Sequence, residues 1–265
     1  MEKFLLIAGP CLLESEGLAM EVAEELAQIQ SRHGDLRVIF KASVDKANRS
    51  SVHSARGVGL DRGLEILDAV RERFSLPITT DFHEPAQAER VAAVCDVVQV
   101  PAFLCRQTDM LAAAARTGRE VSVKKGQFLS PWDMAGVVEK LRFFGAKTIY
   151  QMERGATFGY GQLVVDMRSF QVMRQNGCPV VYDLTHSLQL PAMGNASTGG
   201  AREFADTLAR AAIGAGIDGF FIETHPDPDR ALCDRDCQLP LHTLGERVDR
   251  FLELQGAIRK IWPLP

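Results

Sequence analysis

Four residues able to hold a divalent transition ion stand far apart in the chain, each beyond the end of a short apolar run: Cys11, His186, Glu223 and Asp234. One thiolate, one imidazole and two carboxylates suit a borderline ion such as zinc, iron or manganese, not calcium, which prefers oxygen donors. His83 and His225 occupy comparable positions and are rivals on spacing alone. A second constellation is cationic. Lys41, Lys46, Arg49, Arg106, Lys124, Lys125 and Arg154 all follow apolar runs, so a chain of formal charge −4 gathers positive groups at equivalent places. Cations crowded together repel one another unless anions lie between them, and phosphate is the usual anion. Lysine offers a point charge and arginine a two-pronged grip. Lys41 and Lys124 therefore suit a carboxylate or bridging oxygen, and Arg49 and Arg154 a phosphate terminus. The implied substrate carries more than one phosphate or carboxylate.

The elements that must position these groups are regular. Eight apolar runs, Phe4–Ala8, Val38–Phe40, Ile78–Thr80, Val97–Val100, Val121–Val123, Thr148–Met152, Val180–Tyr182 and Phe220–Ile222, are spaced as strands of an alternating β/α protein. Between them lie helical patterns, the clearest being Gly17–Gln30, with Leu18, Val22, Leu26 and Ile29 on one face, and Gly63–Phe74. Further helices are expected over Pro85–Val94, Thr108–Thr117, Pro131–Phe144, Ser169–Asn176, Arg202–Ala215 and Leu244–Ile258, with Asp35, Gly118, Gly145 and Gly177 at turns into the next strand. The pattern predicts a single-domain (β/α)8 TIM barrel over residues 1–265, whose chemistry sits at the carboxyl ends of the strands. Three longer connections, Asn48–Gly63, Thr185–Gly200 and His225–Pro240, follow strands. The glycine-rich end of the second is expected to act as a closing lid or else to be plainly disordered.

Composition excludes several classes. With 46% hydrophobic and 24% charged residues the chain reads as soluble and globular, without the basic excess of a nucleic-acid binder. No apolar stretch approaches the roughly 20 residues needed to span a bilayer. The chain opens directly into a strand without a basic leader, so its six cysteines point to a reducing cytoplasm more than to disulfides. Cys95 and Cys178 are expected in the core, and Trp132 and Trp262 are expected to pack a helix and the carboxyl tail.

The runs Ile7-Ala8-Gly9-Pro10-Cys11, Lys46-Ala47-Asn48-Arg49-Ser50-Ser51, Thr80-Asp81-Phe82-His83-Glu84, Gln99-Val100-Pro101-Ala102-Phe103-Leu104-Cys105-Arg106, Lys124-Lys125-Gly126-Gln127-Phe128, Asp183-Leu184-Thr185-His186-Ser187 and Glu223-Thr224-His225-Pro226 closely resemble the 3-deoxy-D-manno-octulosonate 8-phosphate synthases, in order along nearly the whole chain. The resemblance implies a barrel that condenses phosphoenolpyruvate with D-arabinose 5-phosphate. It implies that Lys41, Lys46, Lys124 and Arg154 hold phosphoenolpyruvate beside Ser43, Gln99 and Ala102. Asn48, Arg49 and Ser50 would hold the sugar phosphate, while Phe103 and Arg106 contribute across a subunit boundary of a homotetramer. Position 11 separates metal-requiring members, with cysteine, from metal-free members, with asparagine; Cys11 places this chain with the former, with Cys11, His186, Glu223 and Asp234 as ligands. One departure stands out in Cys233-Asp234-Arg235-Asp236-Cys237, where small or polar residues usually surround the aspartate. Cys233, Asp236 or Cys237 could compete as a ligand, or the two cysteines could pair at the surface. For the chemistry, Lys46 is placed to polarise the aldehyde oxygen and Lys124 to stabilise phosphate charge, with Asp81, His83 and Asp234 as acid/base candidates. The sister synthase that uses erythrose 4-phosphate usually carries a Lys-Pro-Arg-Thr type segment where this chain has Lys46-Ala47-Asn48-Arg49. A catalytically silent phosphosugar-binding or metal-sensing barrel would release no phosphate at all.

Overall fold

Each of the eight apolar runs forms a parallel strand, and the helical patterns between them form helices. The protein is seen in a computed structural model that describes residues 3–49, 51–157, 161–191 and 199–262. The strands are β1 (Phe4–Gly9), β2 (Leu36–Lys41), β3 (Ile78–Asp81), β4 (Val97–Val100), β5 (Glu120–Lys124), β6 (Ile149–Glu153), β7 (Val180–Asp183) and β8 (Gly219–His225). Each pairs in parallel with the next. β8 pairs with β1, from Leu5 opposite Gly219 to Gly9 opposite Glu223, and closes the barrel. A Cβ on Gly9, whose φ is +154°, would collide with the Lys41 carbonyl oxygen, so glycine is what lets the chain leave β1 tight against β2.

The helices are α1 (Glu16–Arg32), α2 (Leu60–Phe74), α3 (Ala88–Val94), α4 (Thr108–Arg116), α5 (Met134–Phe143), α6 (Arg168–Arg174), α7 (Ala205–Ala215) and α8 (Leu244–Ile261). In α1 the predicted face is the buried one: Val22, Leu26 and Ile29 pack inward, and the Ser15 side chain caps the first turn by accepting from the Leu18 amide at 3.2 Å. Pro85 and Pro131 open their segments as single 3-10 turns before α3 and α5, since proline fixes φ at a helix start and lacks the donor a continuing helix requires. Gly118, Gly145 and Gly177 all have positive φ at the helix-to-strand turns.

Strand alternation divides the core in two. One set of side chains, including Leu6, Val38, Phe40 and Val98, packs against the helices; the other, Leu5, Ile7, Ile39, Val97, Tyr150, Met152, Val181 and Phe221, fills the barrel interior. At the amino-terminal end Arg37 and the Tyr150 hydroxyl each donate to Glu120, at 2.9 Å, closing the floor with satisfied polar groups. The long connections are partly ordered. Gln189–Leu190 pairs with Gly199–Gly200 at the base of the expected lid, whose residues 192–198 lie outside the described part, and Leu239–Pro240 adds to β8.

Two expectations need correction and one alternative falls away. Trp132 and Trp262 are largely exposed instead of packed, at 61% and 77% among the described residues. Cys233 and Cys237 do not form a surface disulfide, because both are buried and free, as are Cys11, Cys95, Cys105 and Cys178. The other correction concerns Lys125, described with the site below.

Candidate active site

The period of two that fills the barrel also aims its chemistry. On six of the eight strands the residue one inward step above the interior layer is polar, namely Lys41, Asp81, Gln99, Lys124, Asp183 and Glu223, joined by Arg154 just past β6, while β1 places Gly9 there. All these polar residues but Asp183 line a cavity of about 1020 Å³ at the carboxyl ends of the strands, and its wall continues through Ser43, Lys46, Asn48, Arg49, Ala102, Phe103, His83 and His186. Phe221 belongs to the interior layer beneath, with the Lys124 ammonium 3.6 Å and the Lys41 ammonium 5.4 Å from its ring centre.

Lys125 breaks the expected cationic group. One residue beyond Lys124, it has the opposite parity and turns away from the cavity, its ammonium held by the Leu129 and Gly155 carbonyls at 3.1 and 3.2 Å and lying 3.4 Å from Glu153. Arg106 also lies off this chain's cavity, exposed. Ser50 lies outside the described residues.

The four predicted donors stand at or beyond the ends of β1, β7 and β8, His186 and Glu223 grouping with Asp234 on one side and Cys11 with Asp234 on the other. His186 Nε2 is 3.7 Å from Glu223 Oε1 and 3.7 Å from Asp234 Oδ2, and Cys11 Sγ is 3.4 Å from Asp234 Oδ2. Donors around one tetrahedral ion, at bonds of about 2.0–2.3 Å, are about 3.3–3.8 Å apart. Glu223 is fully buried and its Oε2 has no hydrogen-bond partner among the described residues, an orphan acceptor suited to a cation. Asp234 has φ +44°, unusual outside glycine and a mark of a residue held by its surroundings. The rivals fall away: His225 Nε2 lies 3.9 Å from Glu14, and His83 Nε2 lies 3.2 Å from Asp81. Asp236 is exposed and Cys237 is buried in the main core, where it packs so tightly that a Cβ on Gly200 would strike its sulfur. Cys233 alone among the competitors reaches the cluster, its sulfur grouped with Cys11 and Asp234.

Charge in the site is balanced by position. Lys41 donates to Glu223 Oε1 at 2.6 Å and to the Cys11 carbonyl at 2.9 Å. Burial works to raise the Glu223 carboxyl, but Lys41, then His186 and Lys46, hold it well below the usual range. Lys46 is pulled down by burial yet held well above the ordinary lysine value by Cys11 and Glu223. Lys124 is lowered, because burial outweighs Asp183 at 2.7 Å. Arg154 is 4% exposed and lowered by burial; its guanidinium donates to Gln189 Oε1 at 2.6 Å and makes no salt bridge among the described residues, and its Nε is unpartnered. Cys11 is raised well above the free-thiol value by burial and then by Cys233, so a metal would be what draws off its proton.

Three functional side chains went unassigned in the sequence. Asp183 accepts from His186 at both the ring and the backbone and from Lys124; its place at a strand end was the available signal. Gln189 links Arg154 to Asp234, donating to Oδ1 at 3.2 Å. Gln238 accepts from the Cys11 amide at 3.2 Å and donates to the Cys233 carbonyl at 2.8 Å. No pattern of spacing announces a neutral amide.

Fold and mouth define a (β/α)8 barrel enzyme with its chemistry at the strand ends. The model of the DAHP synthetase I family matches residues 1–258. Proteins named 2-dehydro-3-deoxyphosphooctonate aldolase are similar along almost their whole length: that of Syntrophotalea carbinolica is 51% identical over 254 residues, 96% of this chain and 91% of its own. That of Desulfotalea psychrophila is 51% identical over 259 residues, 98% and 92%, and that of Thioalkalivibrio sulfidiphilus 53% over 254 residues, 96% and 90%. The chain belongs to the DAHP synthetase I family, on its 2-dehydro-3-deoxyphosphooctonate aldolase branch.

Proposed function

We propose that the protein condenses phosphoenolpyruvate with D-arabinose 5-phosphate and water, giving 3-deoxy-D-manno-octulosonate 8-phosphate and inorganic phosphate, a step toward the inner-core sugar of lipopolysaccharide. The observation that carries this is Arg154: a buried guanidinium facing the cavity with a neutral amide as its hydrogen-bond partner calls for an anion. Lys41, Lys46 and Lys124 converge beside it, enough for the phosphate and carboxylate of phosphoenolpyruvate, with Ser43, Gln99 and Ala102 lining the same space. The buried Ser43 Oγ and Gln99 Oε1, unpartnered among the described residues, support this as a ligand-binding wall. Asn48, Arg49 and Ser50 take the sugar phosphate. Arg49 is braced for that task by donating to the Ala55 and Leu232 carbonyls.

In the reaction the vinyl carbon of phosphoenolpyruvate attacks the aldehyde carbon, water adds at the enol carbon, and phosphate departs. Lys46 polarises the aldehyde oxygen. Lys124 and Arg154 stabilise the charge that builds on the departing phosphate, an electrostatic role in a water-poor site. Asp81 and His83 form the acid/base pair, His83 Nε2 facing the Asp81 carboxylate. Cys11, His186, Glu223 and Asp234 would hold a divalent zinc, iron or manganese ion, which when bound supplies Lewis-acid polarisation or a water of lowered pKa. The working unit is a single barrel domain per chain in a cytoplasmic homotetramer. Phe103, Phe128 and Trp132, each more than half exposed, support a subunit contact near the mouth to which Phe103 and Arg106 would contribute. No described helix is long and apolar enough to cross a membrane.

The test is phosphate release from phosphoenolpyruvate with arabinose 5-phosphate or erythrose 4-phosphate as acceptor. Release with the arabinose compound is expected. Preference for the erythrose compound would reassign the chain to the sister synthase, and no release with either would leave a binding barrel.

A further inference from the structure

The departure at Cys233-Asp234-Arg235-Asp236-Cys237 puts a second thiol where the reaction does not call for one. Cys233 is 4% exposed, and its sulfur, that of Cys11 and a carboxylate oxygen of Asp234 all lie within 4.8 Å of one another. The trio of His186, Glu223 and Asp234 meets the same limit, so the two trios share Asp234. Cys11 and Cys233 also pack together with Leu12 in a small cluster of their own, under Ala55.

This proximity is built from the backbone outward. The Gln238 side chain, 1% exposed, bridges the two cysteines: its Oε1 accepts from the Cys11 amide and its Nε2 donates to the Cys233 carbonyl. A single amide thereby clips residues 11 and 233 together across more than 200 residues of chain. The Asp234 carbonyl accepts from the amides of Cys237 and Gln238 at 2.9 and 3.1 Å, closing the turn that carries Cys233 and Asp234 toward β1. Cys237, four residues on, is left in the core.

We propose that Cys233 is a ligand of the ion, so that this chain binds its metal through two thiolates, Cys11 and Cys233, together with Asp234 and the His186–Glu223 side. The inference rests on the metal-dependent reading and adds a donor to it. As each Zn–S bond forms the thiol gives its proton to solvent, two protons per ion. A pair of thiolates favours borderline zinc over manganese, which prefers oxygen donors.

X-ray absorption at the zinc edge of the full-length protein loaded with one zinc per chain counts the sulfurs directly, without reference to turnover. Two sulfur scatterers at about 2.3 Å are expected in the unaltered protein, and one in each of Cys11→Ser and Cys233→Ser. One sulfur in the unaltered protein, still one in Cys233→Ser and none in Cys11→Ser, would overturn the proposal while leaving a Cys11-bound metal in place. No sulfur at all would overturn both. Because the unaltered protein decides between these results, a variant that fails to fold does not blunt the test.

Discussion

The Asp183 carboxylate grips His186 twice, receiving the backbone amide at 2.9 Å and facing the ring Nδ1 at 2.8 Å, and this turns Nε2 toward Glu223 and Asp234. A histidine presented to a cation commonly has its other ring nitrogen fixed by a carboxylate. Asp183 is itself fully buried. Burial would raise its carboxyl, but His186 and Lys124 hold it well below the ordinary range, so it stays a charged acceptor. Asp183→Asn keeps the shape and removes the charge. We expect zinc affinity, measured by competition with a chromophoric chelator, to fall by roughly 10–100-fold while the far-ultraviolet circular dichroism is unchanged. Unaltered affinity would show that Asp183 serves only Lys124.

Lys41 and Glu223, 1% and 0% exposed, form a buried ion pair at 2.6 Å. Removing one member strands the other in a dry interior. Lys41→Met should cost about 3–5 kcal/mol of unfolding free energy in denaturant titrations, and adding Glu223→Gln should restore part of it. A single variant as stable as the parent protein would mean that Lys46, 3.9 Å from Glu223, already suffices as counter-charge.

The Asp81–His83 pair predicts a pH signature. Burial opposes charge on both, yet their hydrogen bond and mutual attraction win, lowering the Asp81 carboxyl and raising the His83 imidazole. A lowered acid stabilises above its unfolded value, and a raised base below its own; the pair therefore contributes fully between about pH 4 and about pH 6.5. The contribution is lost as pH rises through the folded value of His83 or falls through that of Asp81. The stability difference between the parent protein and Asp81→Asn should be largest inside that window and shrink on both sides. A difference independent of pH would refute the coupling.

Arg154→Gln should raise KM for phosphoenolpyruvate by roughly 10–100-fold, the loss of one charge-assisted contact worth about 1.5–3 kcal/mol, with a much smaller change for arabinose 5-phosphate. Equal increases for both substrates would place Arg154 in the scaffold instead of the phosphate site.

What the sequence made legible follows from periodicity. A strand alternates strictly, so apolar runs ending in Lys41, Asp81, Lys124 and Glu223 place those residues on one inward layer. The same rule, applied one residue further, would have removed Lys125 from the cationic group. Loops have no period: nothing in the spacing of Cys233, Asp234, Asp236 and Cys237 says which faces the donors, and a left-handed turn at Asp234 decided it. Gln189 and Gln238 act through contacts 45 and 227 residues distant, which only the closed barrel brings about. Trp132 and Trp262 were misread because a large apolar side chain is usually buried, and in a single chain theirs are exposed.

The most direct measurement follows phosphate release from phosphoenolpyruvate and arabinose 5-phosphate before chelation, after it, and with single metals restored, with metal content assayed at each stage. We expect activity to vanish with the ion, to return with a restored divalent metal, and to be absent throughout from Cys11→Ala. Full turnover in protein shown to be free of metal would contradict the metal-dependent assignment and leave Cys11 a structural residue.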